Sequence, residues 1–167
     1  RNGNNINFAI FNAVGNPNLY CISVDDVAWS TANWTVANGN IDGQTSFSEN
    51  CDAKTYVPDD NFEAYLETHD AFGNTVSIGD PTSMGDGIAN NDSVLTASIS
   101  GVTNLGVGNE NISDMTGIED FISLEDLYCE NNQLSTLDVS QNTYLMEIHC
   151  YGNQLNSLNI GLKTQLK

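Results

Sequence analysis

Apolar residues recur at a fixed spacing in the second half of the chain. Segment 124–134 reads LEDLYCENNQL and segment 145–155 reads LMEIHCYGNQL, so each apolar position and the second Asn return after 21 residues. The same offset pairs Leu137 with Leu158, Val139 with Ile160 and Leu145 with Leu166. A looser copy at 102–112 precedes them by 22 residues. A repeat of this length predicts stacked units that share one core.

The shared pattern is L-x-x-L-x-L-x-x-N-x-L, which is the leucine-rich repeat. Its L-x-L centre predicts a short strand with alternate side chains inward. The predicted fold is a β-rich solenoid of short parallel strands, with about three repeats in 98–167. Asn132 and Asn153 follow the strands, where their amides can bond backbone groups of the turn. Glu110 takes this place in the first copy, so the Asn ladder is expected to end or change there.

A different pattern lies upstream, in 54–97, where a short helical cap is predicted. Phe62, Tyr65 and Leu66 have helical spacing, and Asp60 with Glu63 resembles a capping box. A helix here would cover the first open face of the repeats. His69 is interpreted as a residue at the helix end rather than as a ligand.

The remainder, 70–97, is rich in Gly, Asp, Asn and Ser and is predicted to be a loop. Oxygen-bearing side chains at short spacings are the ligands that calcium requires, and the candidates are Asp80, Asp86, Asn90 and Asp92. The spacing does not match the EF-hand loop, and no Glu stands at its bidentate position. A loop that only hydrogen-bonds to itself is the alternative, and we rank it first.

Residues 1–53 are predicted to be the last repeat and C-terminal cap of a preceding array. Leu19 and Cys21 alternate like a repeat strand, and a Cys21–Cys51 disulfide would close the loop between them. Two interpretations of the aromatic residues remain open, an end cap and a sugar-stacking platform. These residues are Trp29, Trp34 and Phe47.

Composition narrows the classes of function. Lys and Arg number 4 and Asp and Glu 22, a formal net charge of −18, which disfavours nucleic acid and anionic membrane as partners. No apolar run is long enough for membrane insertion, and the scarcity of Lys favours a secreted or cell-surface protein. None of the four Cys forms a C-x-x-C pair. Cys129 and Cys150 are interpreted as stacked buried thiols, with a disulfide or a metal pair as alternatives.

Several motifs together resemble one known family. Tyr56–Glu63, Asn91–Ala97, Ile112–Phe121 and Cys129–Ser140 are similar to the large secreted or surface leucine-rich-repeat proteins of Bacteroidetes-type bacteria. Segment 21–51 resembles the segment that closes one repeat array in that group. The resemblance implies that this chain is a piece of a longer parent and spans the junction of two arrays. Ile112–Met115 also resembles internalin-type repeats, which bind host proteins, although Glu110 departs from both patterns.

The sequence favours recognition over catalysis. His69 and His149 lie in different elements, and no G-x-S-x-G or H-E-x-x-H motif occurs, so no cofactor is expected and we expect no enzyme. A concave sheet would instead present a stripe of polar and aromatic side chains to a protein or glycan. The stripe consists of Asn104, Asp126, Tyr128, Glu130, Glu147, His149 and Tyr151.

Two further expectations concern the repeats as a whole. A structural spacer between arrays, stiffened by calcium, is the alternative to recognition. The open edge of the last coil is expected to fray or to associate with a second copy. That edge consists of Leu155, Leu158, Ile160 and Leu166.

Overall fold

The computed structural model describes residues 10–16, 19, 21–43, 45–48, 51 and 53–162. The chain divides into two compact units, Arg1–Ala53 and Lys54–Lys167. Leu166, predicted to lie on the open edge of the last coil, falls outside the described residues.

The first unit contains two short parallel strands joined by a helix. Strand β1 spans Cys21–Ser23, helix α1 spans Val27–Asn33 and strand β2 spans Ser46–Ser48. The Cys21–Cys51 disulfide is present, with Cα atoms 5.7 Å apart. Helix α1 was not predicted. Its N-cap is Asp26, whose carboxylate accepts a hydrogen bond from the Trp29 backbone.

The aromatic residues of this unit form a packed cluster around Trp34. The Trp34 ring stacks on Phe11 at 4.3 Å between centroids and meets Trp29 edge-on at 5.3 Å. Phe47 lies 5.8 Å away. Because Trp34 is only 6% exposed, its ring is not available as a sugar platform, and the arrangement fits the end-cap interpretation.

The second unit consists of three-residue strands, turns, a nine-residue helix and a four-residue helix. Strand β3 spans Lys54–Tyr56, helix α2 Asp60–Thr68, strand β4 Ser93–Leu95 and helix α3 Thr96–Ile99. The repeats supply strands β5 (Asn104–Gly106), β6 (Asp126–Tyr128), β7 (Thr136–Asp138), β8 (Glu147–His149) and β9 (Ser157–Asn159). A 3₁₀ turn at Ile118–Asp120 lies between β5 and β6.

The repeat strands stack in parallel at the predicted spacing. One sheet has the order β5-β6-β8, in which Leu127 pairs with Leu105 on one side and Ile148 on the other. A second sheet pairs β7 with β9, and Leu137 lies opposite Leu158. The short parallel strands of a leucine-rich repeat are therefore present.

A single hydrophobic core runs through the second unit. Inward residues of successive coils share it with the buried face of helix α2, as predicted for a cap. Phe62 of the helix stacks on Phe121 of the repeats at 6.3 Å between ring centroids, and both are fully buried. The core also includes Leu66, Leu105, Ile112, Leu124, Leu127, Leu134 and Leu145.

The two ladder asparagines connect each coil to the one before it. Asn132 Nδ2 donates to Val107 O at 2.7 Å and to Cys129 O at 3.1 Å, while its Oδ1 accepts from the Ile112 backbone at 2.9 Å. Asn153 repeats these contacts one coil later, donating to Cys129 O and accepting from Leu134 N. The predicted bonds are confirmed. Glu110 contributes its backbone N–H to the ladder, and this group donates to Asn132 Oδ1.

The start of helix α2 differs from the predicted capping box. Asp59, not Asp60, is the N-cap, and its Oδ1 accepts from the Asn61 and Phe62 backbones. Glu63 lies one position too late to bond back to the cap residue. Its carboxylate instead accepts from the backbones of Asn91 and Asp92.

The predicted loop over 70–97 contains regular structure at its end. Strand β4 pairs antiparallel with β3, and helix α3 follows immediately. The loop before β4 is held by Glu67, a fully buried residue whose carboxylate accepts from the Gly87 backbone at 2.9 Å. Burial raises the pKa of Glu67, although backbone bonds from Asp86 and Gly87 oppose the rise. His69 ends helix α2, as predicted.

We expect Asn132→Ala to lower the free energy of unfolding by about 2–4 kcal/mol, because it leaves buried backbone donors and acceptors unpaired in two coils. Chemical denaturation followed by circular dichroism measures the loss. Asn156→Ala is the matched control, since Asn156 is exposed and only its backbone N–H is bonded. Equal losses in the two variants would contradict a bridging role for Asn132.

A second prediction concerns Asp59, whose Oδ2 accepts from Ser113 N, Ser113 Oγ and Asp114 N. Burial would raise its pKa, but these bonds outweigh burial and hold the pKa below 3.8. A carboxylate whose pKa is lower in the folded than in the unfolded chain stabilises the fold at pH values above its unfolded pKa. That stabilisation is lost as the pH falls through its folded pKa. Asp59→Asn places an amide against three donors, so we expect it to lose about 2 kcal/mol at neutral pH.

The difference between this variant and the unchanged chain should shrink as the pH falls below 3.8. Denaturant titrations at a series of pH values measure it, and Asp60→Asn in the exposed first turn is the control. A difference independent of pH would show that the Asp59 charge contributes nothing.

Candidate functional site

The three-stranded sheet places the predicted stripe residues side by side. Asn104 pairs with Asp126 and Asp126 with Glu147, while Gly106 pairs with Tyr128 and Tyr128 with His149. All of these point away from the core residues that alternate with them. Glu130 and Tyr151 follow their strands at matching positions. We call the stripe residues together the outward stripe; they are Asn104, Asp126, Tyr128, Glu130, Glu147, His149 and Tyr151.

Three aromatic side chains of the outward stripe lie next to one another. The Tyr128 and His149 rings meet edge-on with centroids 4.9 Å apart, and His149 and Tyr151 are 6.3 Å apart. Tyr151 is 63% exposed. An aromatic cluster that water can reach supplies large contact area at little entropic cost, which is a feature of binding surfaces.

Carboxylates surround this cluster. Glu147 Oε1 lies 2.9 Å from His149 Nε2. Partial loss of hydration, followed by the charges of Glu147 and Asp126, raises the pKa of Tyr128, so its hydroxyl keeps its proton. Glu130 extends over Gly108, where a Cβ would lie 2.7 Å from its Oε1. The stripe is therefore aromatic and strongly acidic.

The four predicted calcium ligands are not brought together as a ligand set. Asp80 accepts from Thr82 in its own turn. Asp86 pairs with Lys54 and accepts from Asn91 and Ser93. Asn90 and Asp92 lie at positive φ in a turn that Glu63 holds. These bonds are what a loop that stabilises itself would make, and calcium binding stays a prediction.

A different acidic group lies close together. Among the described residues, Asp60, Glu63 and Asp92 bring carboxylate oxygens within 4.8 Å of one another. Glu63 already accepts two backbone N–H groups there. Sequence reasoning placed Asp92 among metal ligands but missed Glu63, which it assigned to the helix cap.

The two repeat cysteines are free thiols on adjacent coils. Cys129 is fully buried between Val107 and Cys150 in the stack, whereas Cys150 is half-buried. Burial, with smaller effects from Cys150 and Glu130, raises the pKa of Cys129 to about 12. A thiol that stays protonated at neutral pH is a poor nucleophile and metal ligand.

Parallel strands at 21–22-residue intervals, a core of inward leucines and bridging asparagines define this as a protein built from leucine-rich repeats. Internalin J of Listeria monocytogenes is 30% identical over 136 residues, which cover 78% of this chain. The aligned part is 13% of that protein's length. No protein-family profile matches the chain.

Two solved structures are also similar. One is the functional domain of internalin J from Listeria monocytogenes, which includes a cysteine ladder. The two sequences are 29% identical, the TM-score is 0.47, and the match covers 65% of this chain and 21% of that chain. The other is internalin C2 of Listeria monocytogenes, with 18% identity, a TM-score of 0.39, and coverage of 62% and 48%. The 30% identity to internalin J supports the leucine-rich-repeat assignment and does not support the Bacteroidetes type.

In the part of the chain that the structure describes, no helix has the length and apolar character needed to cross a bilayer.

We expect the two repeat thiols to differ in reactivity. Iodoacetamide at neutral pH should modify Cys150 of the folded chain well before Cys129, because Cys129 is buried and protonated. Peptide mass spectrometry after timed quenching measures both rates, and unfolding in denaturant without reductant should equalise them. Modification of Cys129 as fast as Cys150 in the folded chain would contradict this burial.

Proposed function

We propose that this chain is a non-catalytic recognition segment of a secreted or cell-surface leucine-rich-repeat protein, and that it binds a protein partner through the outward stripe. The observation that carries the proposal is the cluster of half-buried Tyr128 with exposed His149 and Tyr151, with Asp126, Glu130 and Glu147 around it. Clustered aromatic residues are enriched at the centres of protein interfaces.

The similarity to internalin J supports a protein partner, since the internalin-type resemblance implies binding of host proteins. The Cys21–Cys51 disulfide supports an extracellular location, because such bonds persist in oxidising compartments. The chain spans 13% of that relative, so the partner of the whole parent is part of this proposal.

The test compares the parent protein with its Tyr128→Ala/His149→Ala variant in binding to an array of extracellular proteins and to a glycan array. Loss of the two rings should weaken binding by at least about tenfold, the size of an interface hot spot. Tyr144→Ala is the control, because Tyr144 is 65% exposed and lies outside the stripe.

Unchanged binding of all partners by the double variant would show that the stripe is the wrong surface. Loss of glycan signals alone would replace the protein partner by a sugar. Parent binding that survives deletion of this segment would favour the spacer role.

A further inference from the structure

A cavity of about 220 Å³ lies at the end of the outward stripe, between strand β5 and the turn after helix α2. Its base is apolar and consists of Met84 and Leu105, both nearly fully buried. On β5 it is bordered by Gly106, where a side chain would meet only open space. Because Gly106 pairs with Tyr128, the cavity adjoins the aromatic cluster.

The Tyr65 side chain lines this cavity, and its hydroxyl has no internal partner among the described residues. Tyr65 is 8% exposed, and its Oη lies 3.9 Å from the Cβ position of Gly73 in the opposite wall. Within the described ranges, no residue hydrogen-bonds to this hydroxyl. Burial, followed by the charges of Glu110 and Asp70, raises the pKa of Tyr65, which places two carboxylates near its oxygen.

The outer wall is an aromatic ring held in solvent. Phe72 is 90% exposed, yet the backbone of its turn is held by hydrogen bonds. Gly73 N donates to Asp70 O at 3.0 Å. Asp70 Oδ1 accepts from Phe72 N and from Asn74 N, each at 2.9 Å. These bonds fix the backbone of the turn that carries Phe72 beside the cavity.

The cavity offers a carboxylate and a phenolic oxygen as acceptors. Asp70 Oδ2 takes one bond, from Asn74, and has capacity for another donor. Burial opposes ionisation of Asp70, but the bonds from Asn74 and Phe72 together outweigh it and lower its pKa, so Asp70 is charged at neutral pH. The Asn104 amide is turned toward Asp126, to which it donates at 3.4 Å.

We propose that this cavity is a binding subsite for an arginine side chain of the protein partner. A guanidinium brings a planar fork of donors for Asp70 and Tyr65 Oη, and its flat face stacks on an aromatic ring such as Phe72. Its aliphatic stem would lie on Met84 and Leu105. The inference rests on the proposed recognition function and names the chemistry of one contact in it.

Charge favours this occupant over a neutral sugar. The chain carries −18, and Lys54, the one Lys or Arg in the described ranges, is already paired with Asp86. Asp70 lines the cavity, the charge of Glu110 acts on Tyr65, and Asp126 accepts from Asn104 at the border, with no unpaired Lys or Arg in the described ranges. A partner cation would be drawn to this end of the stripe and desolvated against the apolar base.

The experiment titrates the ¹⁵N-labelled chain with the capped tripeptide Gly-Arg-Gly and, as the matched neutral control, Gly-citrulline-Gly. We expect saturable amide shifts at Gly73 and Gly106 with a dissociation constant on the order of millimolar, and binding of the citrulline peptide at least about tenfold weaker. Equal binding of the two peptides, or no shift at either glycine, would overturn the proposal.

Variants locate the contact. Tyr65→Phe removes only the unpartnered hydroxyl and should weaken arginine binding about tenfold, and Phe72→Ala about fivefold. Tyr144→Phe should change nothing. An unaltered affinity in Tyr65→Phe, or saturation of the same glycines by methyl glucoside, would count against a guanidinium site.

The two proposals fail separately. Tyr128→Ala/His149→Ala should retain the arginine shifts at Gly73 and Gly106, because neither ring lines the cavity. If the tripeptide does not bind while the double variant loses its partner, the cavity assignment is wrong and the recognition surface stands.

Discussion

The repeats depend on one requirement, that backbone groups turned inward between strands find partners. Strand pairing cannot supply them, because each strand is three residues long and the chain turns away at once. Asn132 meets the requirement by bonding carbonyls of two coils and an N–H of the coil before, and Asn153 continues the series. With these bonds made, adjacent coils have a fixed register, and every other feature of the sheet follows from that register.

At the N-terminal end of the repeats, buried carboxylates take over this task. Asp59 accepts from the first turn of helix α2 and from Ser113 and Asp114 of the first repeat, so one side chain attaches the cap to the core. Glu63 and Glu67 close the following loop in the same way. The acidity of this chain is thus partly internal. A carboxylate is acceptor-only and suits segments in which unpaired N–H groups cluster.

The repeats were predictable because a leucine ladder repeats a signal, and Leu127 or Asn132 can be recognised from its copy 21 residues away. The cap has no copy. Asp60 and Glu63 fitted the capping-box pattern, whereas the true N-cap, Asp59, is identified by its bonds to the Asn61 and Phe62 backbones. Similarly, the outward stripe followed from strand alternation, whereas the cavity that Tyr65 and Phe72 share with β5 depends on a turn whose position no periodicity reveals. Asn142, which is fully buried and bonds two carbonyls of the previous coil, also went unrecognised.

The shape of the proposed binding surface depends on the glycine of strand β5. Across the sheet, the position filled by Tyr128 and His149 is Gly106 on β5, so the aromatic cluster stops one strand short of the cap. Phe72 stands on the far side of that gap. A partner lying along the stripe would therefore meet rings at both ends and an acidic recess between them. The same register that stacks the leucines inside fixes this alternation of rings and recess outside, so the proposed recognition surface and the stability of the core depend on the same repeat.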